Sequence, residues 1–144
     1  MSHSFTKIWI HGVFSTKDRV CLIKSSFESL IHRHIKDHLE ENLGCKVRII
    51  NGCEDHIHIL FLMNPGLSIQ DTFKNIKGES SHWINQSNFI NEKFSWQTGY
   101  GAFSVSDSSV TVVEEYIKNQ KSHHTKMSFE EESGIYAKKC GLII

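Results

Sequence analysis

The order of apolar and polar positions divides this chain into a short series of elements. Phe5 to Phe14 predicts a first strand, closed by the polar turn Ser15 to Arg19. Phe27, Leu30, Ile31, His34, Ile35, His38 and Leu39 keep helical spacing, and Gly44 stands where a glycine ends a helix. Lys46-Val47-Arg48-Ile49-Ile50 alternates with the period of a strand. Gly52 to Asp55 turns it into another strand, in which Ile57, Ile59 and Phe61 alternate with His56, His58 and Leu60, so the two form a hairpin. Pro65-Gly66, with the only proline, breaks the chain, and Ser68 caps a second helix through Ile69, Phe73 and Ile76 into Trp83. Asn85 to Asn91 reads as a loop, and Trp96 to Val105 as a strand pair or a bulged strand. Ser106 to Gln120 predicts a third helix, with Ser106 or Asp107 as its cap and Val110, Val113 and Ile117 as one apolar stripe.

Strand, helix, hairpin, helix, strand is the order of a split βαβ fold. The expected class is α+β: a ferredoxin- or RRM-like antiparallel sheet with helices on one face, followed by a C-terminal helix that carries a tyrosine. A length of 144 residues supports one domain over 1–144, with the tyrosine helix at about 107–127 and a tail over 128–144. Repeats and low-complexity tracts are absent from the sequence.

Composition changes this picture in three ways. A basic-plus-apolar leader and an apolar run of eighteen are both missing, so a cytoplasmic protein with no membrane span is expected. Cys21, Cys45, Cys53 and Cys140 have no C-x-x-C spacing, which suits reduced thiols. The 16 basic and 16 acidic residues cancel, which weighs mildly against a nucleic-acid partner. The two signs are unevenly placed, however. Acidic residues gather at Glu40-Glu41, Glu114-Glu115 and Glu130-Glu131-Glu132, while a basic, DNA-contacting face could draw on Lys17, Arg19, Arg33, Lys36, Arg48, Lys74 and Lys77.

The candidate chemistry lies in two places. On a strand, residues i and i+2 point the same way, so His56 and His58 project together and can hold one metal ion through Nε2 or Nδ1. On the third helix Tyr116 and Gln120 are four apart and share a face, which presents a phenol that can attack beside an amide oxygen that can ligate. A metal on His56, His58 and Gln120 would act as a Lewis acid on a phosphodiester attacked by Tyr116. Asp55 or Glu54 could orient a histidine from behind. Trp9, Trp83, Trp96, Tyr100 and Phe103 could stack on bases but are expected mostly in the core, and His11, His123 and His124 are expected at a surface or interface.

The ordered set of segments resembles the HUH single-tyrosine transposases, small enzymes that move insertion sequences as single DNA strands. The resemblance rests on Ile10-His11-Gly12-Val13-Phe14-Ser15-Thr16-Lys17-Asp18-Arg19, on Asn51 to His58, and on Leu67-Ser68-Ile69 with Lys74 to Ser81. It continues through Trp96 to Ser106 and Tyr116-Ile117-Lys118-Asn119-Gln120, and so spans about residues 5 to 130. Gly12 departs from the pattern, which has an apolar strand residue there, at some expected cost to the strand. The resemblance implies Mg2+ or Mn2+ as cofactor and Tyr116 as a nucleophile that forms a 5′-phosphotyrosine. It also implies single-stranded DNA hairpins as partners and a homodimer in which His56 and His58 of one chain meet Tyr116 of the other. Two other readings remain open at this stage. One is a non-enzymatic single-strand binding module, although no RNP-like aromatic-basic motif is present. The other is a structural zinc site built from Cys53, His56, His58 and Cys45 or Cys21.

Overall fold

The computed structural model describes residues 4–122. Its elements are β1 (Trp9–Ser15), α1 (Glu28–Glu41), β2 (Lys46–Cys53), β3 (His56–Leu62), α2 (Ile69–Ser87), β4 (Gly101–Val105) and α3 (Val110–Lys118). Short 3-10 turns at Lys17–Arg19 and Asp107–Ser109 follow β1 and precede α3. The strands form one sheet in the order β2-β3-β1-β4, with every neighbouring pair antiparallel. This is the split βαβ topology, in which β3 separates β1 from β2.

Alternation decides which residues meet which layer. Ile10 and Phe14 of β1 and Ile57, Ile59 and Phe61 of β3 form one core with Ile31, Ile35 and Leu39 of α1 and Phe73, Ile76 and Ile84 of α2. The opposite face carries Trp9, Leu60 and Val105, and there Val110 and Ile117 of α3 pack. Burying each of these two side chains contributes about 1.5–3 kcal/mol. The tyrosine helix therefore covers the face that α1 and α2 leave bare, so the sheet presents no open platform of the kind RNA-binding modules use.

Several boundaries differ from the sequence reading, each for a local reason. β1 begins at Trp9, not Phe5, because its partners Leu62 and Val105 close the ladder there; Phe5 is 94% exposed. β2 runs on to Cys53, so the hairpin turn shrinks to Glu54-Asp55. Gly52 allows that pairing, since a Cβ there would collide with the carbonyl oxygen of His56. α2 continues past Trp83 and includes Asn85, ending where Asn88 adopts a left-handed φ of 63°. Asn85 instead holds the following loop, donating to Phe94 O at 3.0 Å and accepting from Phe94 N at 2.8 Å. Trp96 makes only an isolated bridge with Thr16, and regular pairing starts at Gly101. Between them the ammonium of Lys77 occupies the carbonyls of Gln97 and Gly99, at 2.7 and 2.6 Å.

Neither expected cap acts through its side chain at the start of the tyrosine helix. Asp107 accepts from Trp9 Nε1 at 3.1 Å and pairs with Lys7 at 2.9 Å instead. Gly12 also has a different meaning from the one expected. A Cβ there would lie 2.5 Å from Cζ of Phe73, so the missing side chain is what lets α2 seat its phenylalanine on β1. Among the described residues no helix is long and apolar enough to cross a membrane. His123, His124, Tyr136, Cys140 and the expected tail lie outside the described residues.

Candidate active site

Strand period puts His56 and His58 on the face of β3 that α3 covers, both nearly fully buried. Their rings are 5.1 Å apart at 79°. Behind His56 stands Asp55, itself buried, whose Oδ1 lies 2.7 Å from His56 Nδ1. The backbone of Asp55 is fixed in turn, because its carbonyl accepts from Thr16 N at 2.8 Å and from Thr16 Oγ1 at 3.3 Å. A carboxylate beside Nδ1 accepts a hydrogen bond from the Nδ1–H, which keeps the proton there and leaves the lone pair of His56 on Nε2. Glu54 is exposed and pairs with Lys24 at 3.4 Å, outside the site.

The other half of the site comes from α3. Ile117 and Val110 anchor the helix, which breaks at Asn119 before a further helical turn that begins at Gln120. Across this break Gln120 is fully buried, and its Oε1 lies 3.0 Å from His56 Nε2. Its amide nitrogen donates to Tyr116 O at 3.5 Å, which turns the oxygen toward the histidine. Tyr116 sets its ring edge-on to His58, with centroids 5.8 Å apart, and to His11 at 6.1 Å. The single chain thus brings Tyr116, His56, His58 and Gln120 together by itself.

His11 stands on the same face, and its place differs from the surface position expected. It is fully buried on the central strand β1, with Nε2 2.9 Å from His58 Nδ1 and its ring 6.1 Å from Phe103. Burial lowers its pKa from 6.5 to about 4, so this imidazole is neutral at pH 7. The alternation of β1 signals that His11 shares a face with Trp9 and Val13, but which strand faces it depends on a pairing the sequence does not spell out. Thr16, fully buried and bonded to Asp55, also escaped the sequence reading.

The donor set suits a hard or borderline divalent cation: two imidazole nitrogens and one amide oxygen, with positions left for substrate oxygens. With the His56 proton held by Asp55, the Nε2 lone pair and the Gln120 oxygen face each other. A cation bound to both would satisfy that pair. Among the described residues no three His, Cys, Asp or Glu side chains are arranged to hold a metal ion, so an amide completes the set. The alternative zinc cluster is not assembled. Cys21 is exposed, Cys45 lies in the core under α1, and the thiol of Cys53 donates to Gln120 O at 3.6 Å.

The basic residues expected at DNA do not form one face. Lys17 and Arg19 are exposed on the turn after β1; Arg33 and Lys36 are exposed on α1, and Lys74 on α2, on the far side of the sheet from the histidines. Arg48 pairs with Glu114 of α3 at 3.0 Å and lies over the Trp9 ring. Lys77 is committed to two backbone carbonyls, and partial burial lowers its pKa. Of the aromatic candidates, Trp9 is buried, Trp96 packs edge-on between Phe14 and Phe94, and Trp83 stacks on His34 at 3.9 Å. Tyr100, 40% exposed, stacks on Phe73.

Two solved structures share this arrangement of sheet and helices. A chain from Deinococcus radiodurans R1, assigned as a transposase, superposes with a TM-score of 0.65 at 21% identity, over 83% of this chain and 95% of that chain. The REP-associated tyrosine transposase bound to a REP hairpin gives a TM-score of 0.61 at 14% identity, over 86% of this chain and 74% of that chain. These likenesses show a shared α+β fold. A comparison with curated proteins gives no match. Residues 4–120 match the family model described as transposase, IS200-like. The chain belongs to that family, and is a transposase, an enzyme acting on DNA.

Proposed function

We propose that this transposase cleaves and rejoins single-stranded DNA at the ends of an insertion sequence through a 5′-phosphotyrosine on Tyr116. The observation that carries the reading is the meeting of two elements: Tyr116 lies edge-on to His58, one turn from the Gln120 oxygen that faces His56. A phenol beside two imidazoles and an amide oxygen suits transfer of a phosphoryl group and needs no hydrolytic water. The Tyr116 oxygen forms a bond to phosphorus as the bond to the 3′ oxygen breaks. The phenol gives up its proton and the departing 3′ oxygen gains one, so cleavage leaves a tyrosine diester and a free 3′-hydroxyl. Reversal with a different 3′-hydroxyl rejoins the strand.

His56, His58 and Gln120 would hold Mg2+ or Mn2+, which when bound supplies Lewis acidity at the phosphate. Asp55 fixes the His56 tautomer, and α3 excludes water from the buried face. The expected partner is a folded single strand, a hairpin of the kind the REP-associated relative is bound to in its structure. A second copy of the chain is the other expected partner. One chain assembles all four groups, so sharing between subunits is not required to complete a site.

The test is incubation of the protein with end-labelled hairpin oligonucleotides and Mn2+ or Mg2+, followed by a denaturing gel. A covalent protein-DNA band is expected that excess chelator and His58→Ala each abolish. Undiminished cleavage in excess chelator would contradict the metal assignment, and cleavage with no covalent band would contradict the tyrosine.

A further inference from the structure

We propose that His11 is a positioning residue for the metal site: it accepts the Nδ1–H of His58 and so holds that ring with Nε2 toward the metal. The proposal rests on the function proposed above, and it concerns the histidine ligand whose Nδ1 faces another imidazole. Asp55 orients His56 through Nδ1 at 2.7 Å. His58 Nδ1 faces Nε2 of His11 at 2.9 Å instead, with both rings buried. One proton lies between these two nitrogens when both rings are neutral, so the pair has two arrangements. If His58 donates, its Nε2 carries a lone pair and can ligate. If His11 donates, the His58 proton moves to Nε2 and ligation through that atom is blocked.

Packing fixes the geometry of this contact. His11 sits on the central strand, paired to Leu60 on one side and Phe103 on the other, so its backbone is tied on both edges. His58 lies opposite Val13, which makes His11 and His58 diagonal neighbours across the ladder, close enough for two imidazoles to touch. The ring of His11 is further confined by Phe103 and Tyr116, each 6.1 Å away. An acceptor at this point is provided by β1, remote in sequence from the ligand strand.

Two measurements test this. The first is the ring 15N spectrum of the metal-free wild type, which reports the His58 tautomer without any substitution. The Nδ1–H form is expected, and an Nε2–H form would overturn the proposal. The second is Mn2+ affinity by calorimetry for wild type, His11→Leu and His11→Gln. The Leu variant removes the acceptor and should bind Mn2+ roughly 10- to 100-fold more weakly, the usual effect of losing such a partner. The Gln variant keeps an acceptor oxygen and should recover most of that loss, which a general packing defect would not do. Equal affinity in all three proteins would overturn the role of His11 and leave the metal site standing. No Mn2+ binding by the wild type would overturn the metal site itself, and the role of His11 with it.

Discussion

Gly12 and His32 show how single residues constrain this molecule. The space where a side chain at Gly12 would sit is filled by Phe73, whose ring atoms lie 2.5 and 2.7 Å from the position of a Cβ. Gly12→Ala should therefore destabilise the protein by about 1–3 kcal/mol, as overpacking does, and pairing it with Phe73→Leu should recover part of the loss. Urea unfolding of the two variants checks this, and no change in the midpoint for Gly12→Ala would contradict it. His32 on α1 is buried with no hydrogen-bond partner at Nε2. Burial lowers its pKa from 6.5 to about 4, opposed by the Glu28 carboxylate and aided, more weakly, by the Lys121 ammonium. The unfolded chain therefore binds the proton more readily than the folded one between these values. Stability is complete above pH 6.5 and falls as the pH drops toward 4. At about 1.4 kcal/mol per pH unit, this loss is on the order of 3 kcal/mol. His32→Leu should flatten that part of the stability profile, with unfolding measured at pH 7 and pH 4.5. An unchanged acid slope would contradict the account.

At the scale of elements, the helix that carries Tyr116 is held at its end more than at its start. Asn51 of β2 donates to the carbonyls of Ile117 and Lys118, both at 3.1 Å, where α3 stops. Lys121 in the next turn reaches Asn51 Oδ1 at 3.0 Å, Gly52 O at 3.2 Å and Glu28 Oε1 of α1 at 2.9 Å. These bonds stabilise the break at Asn119, which separates Tyr116 from Gln120. Asn51→Ala frees two carbonyls and should slow adduct formation more than it weakens hairpin binding; an equal loss in both would contradict a positioning effect. Much of this was legible in the sequence. The stripe Val110, Val113, Ile117 gave the docking face of α3, and the spacing of Tyr116 and Gln120 gave their common side. The break at Asn119 was not legible, because it depends on Asn51, far away in the chain. The irregular course of 96–100 was likewise hidden, since it follows from Lys77 taking two carbonyls that alternation alone would assign to a strand.

For the whole molecule, the histidine strand and the tyrosine helix were readable because each follows a local period, whereas His11 joined the site only through the β1–β3 register. The expected basic face was not readable from a count of charges, since Arg48 and Lys77 are spent on internal contacts. Assembly of the site within one chain leads to a mixing prediction. Heterodimers of Tyr116→Phe with His58→Ala should remain inactive, because each chain lacks one group of its own site. Recovered cleavage would show that the tyrosine crosses to the partner in the state that reacts. The claim on which all of this turns is that Tyr116 is the residue that carries the DNA. Its most direct test is proteolysis of the covalent adduct and mass mapping of the peptide that bears the nucleotide. The account predicts a single modified peptide with the nucleotide on Tyr116, and none from Tyr116→Phe. A nucleotide on Tyr100 or Tyr136 would contradict it.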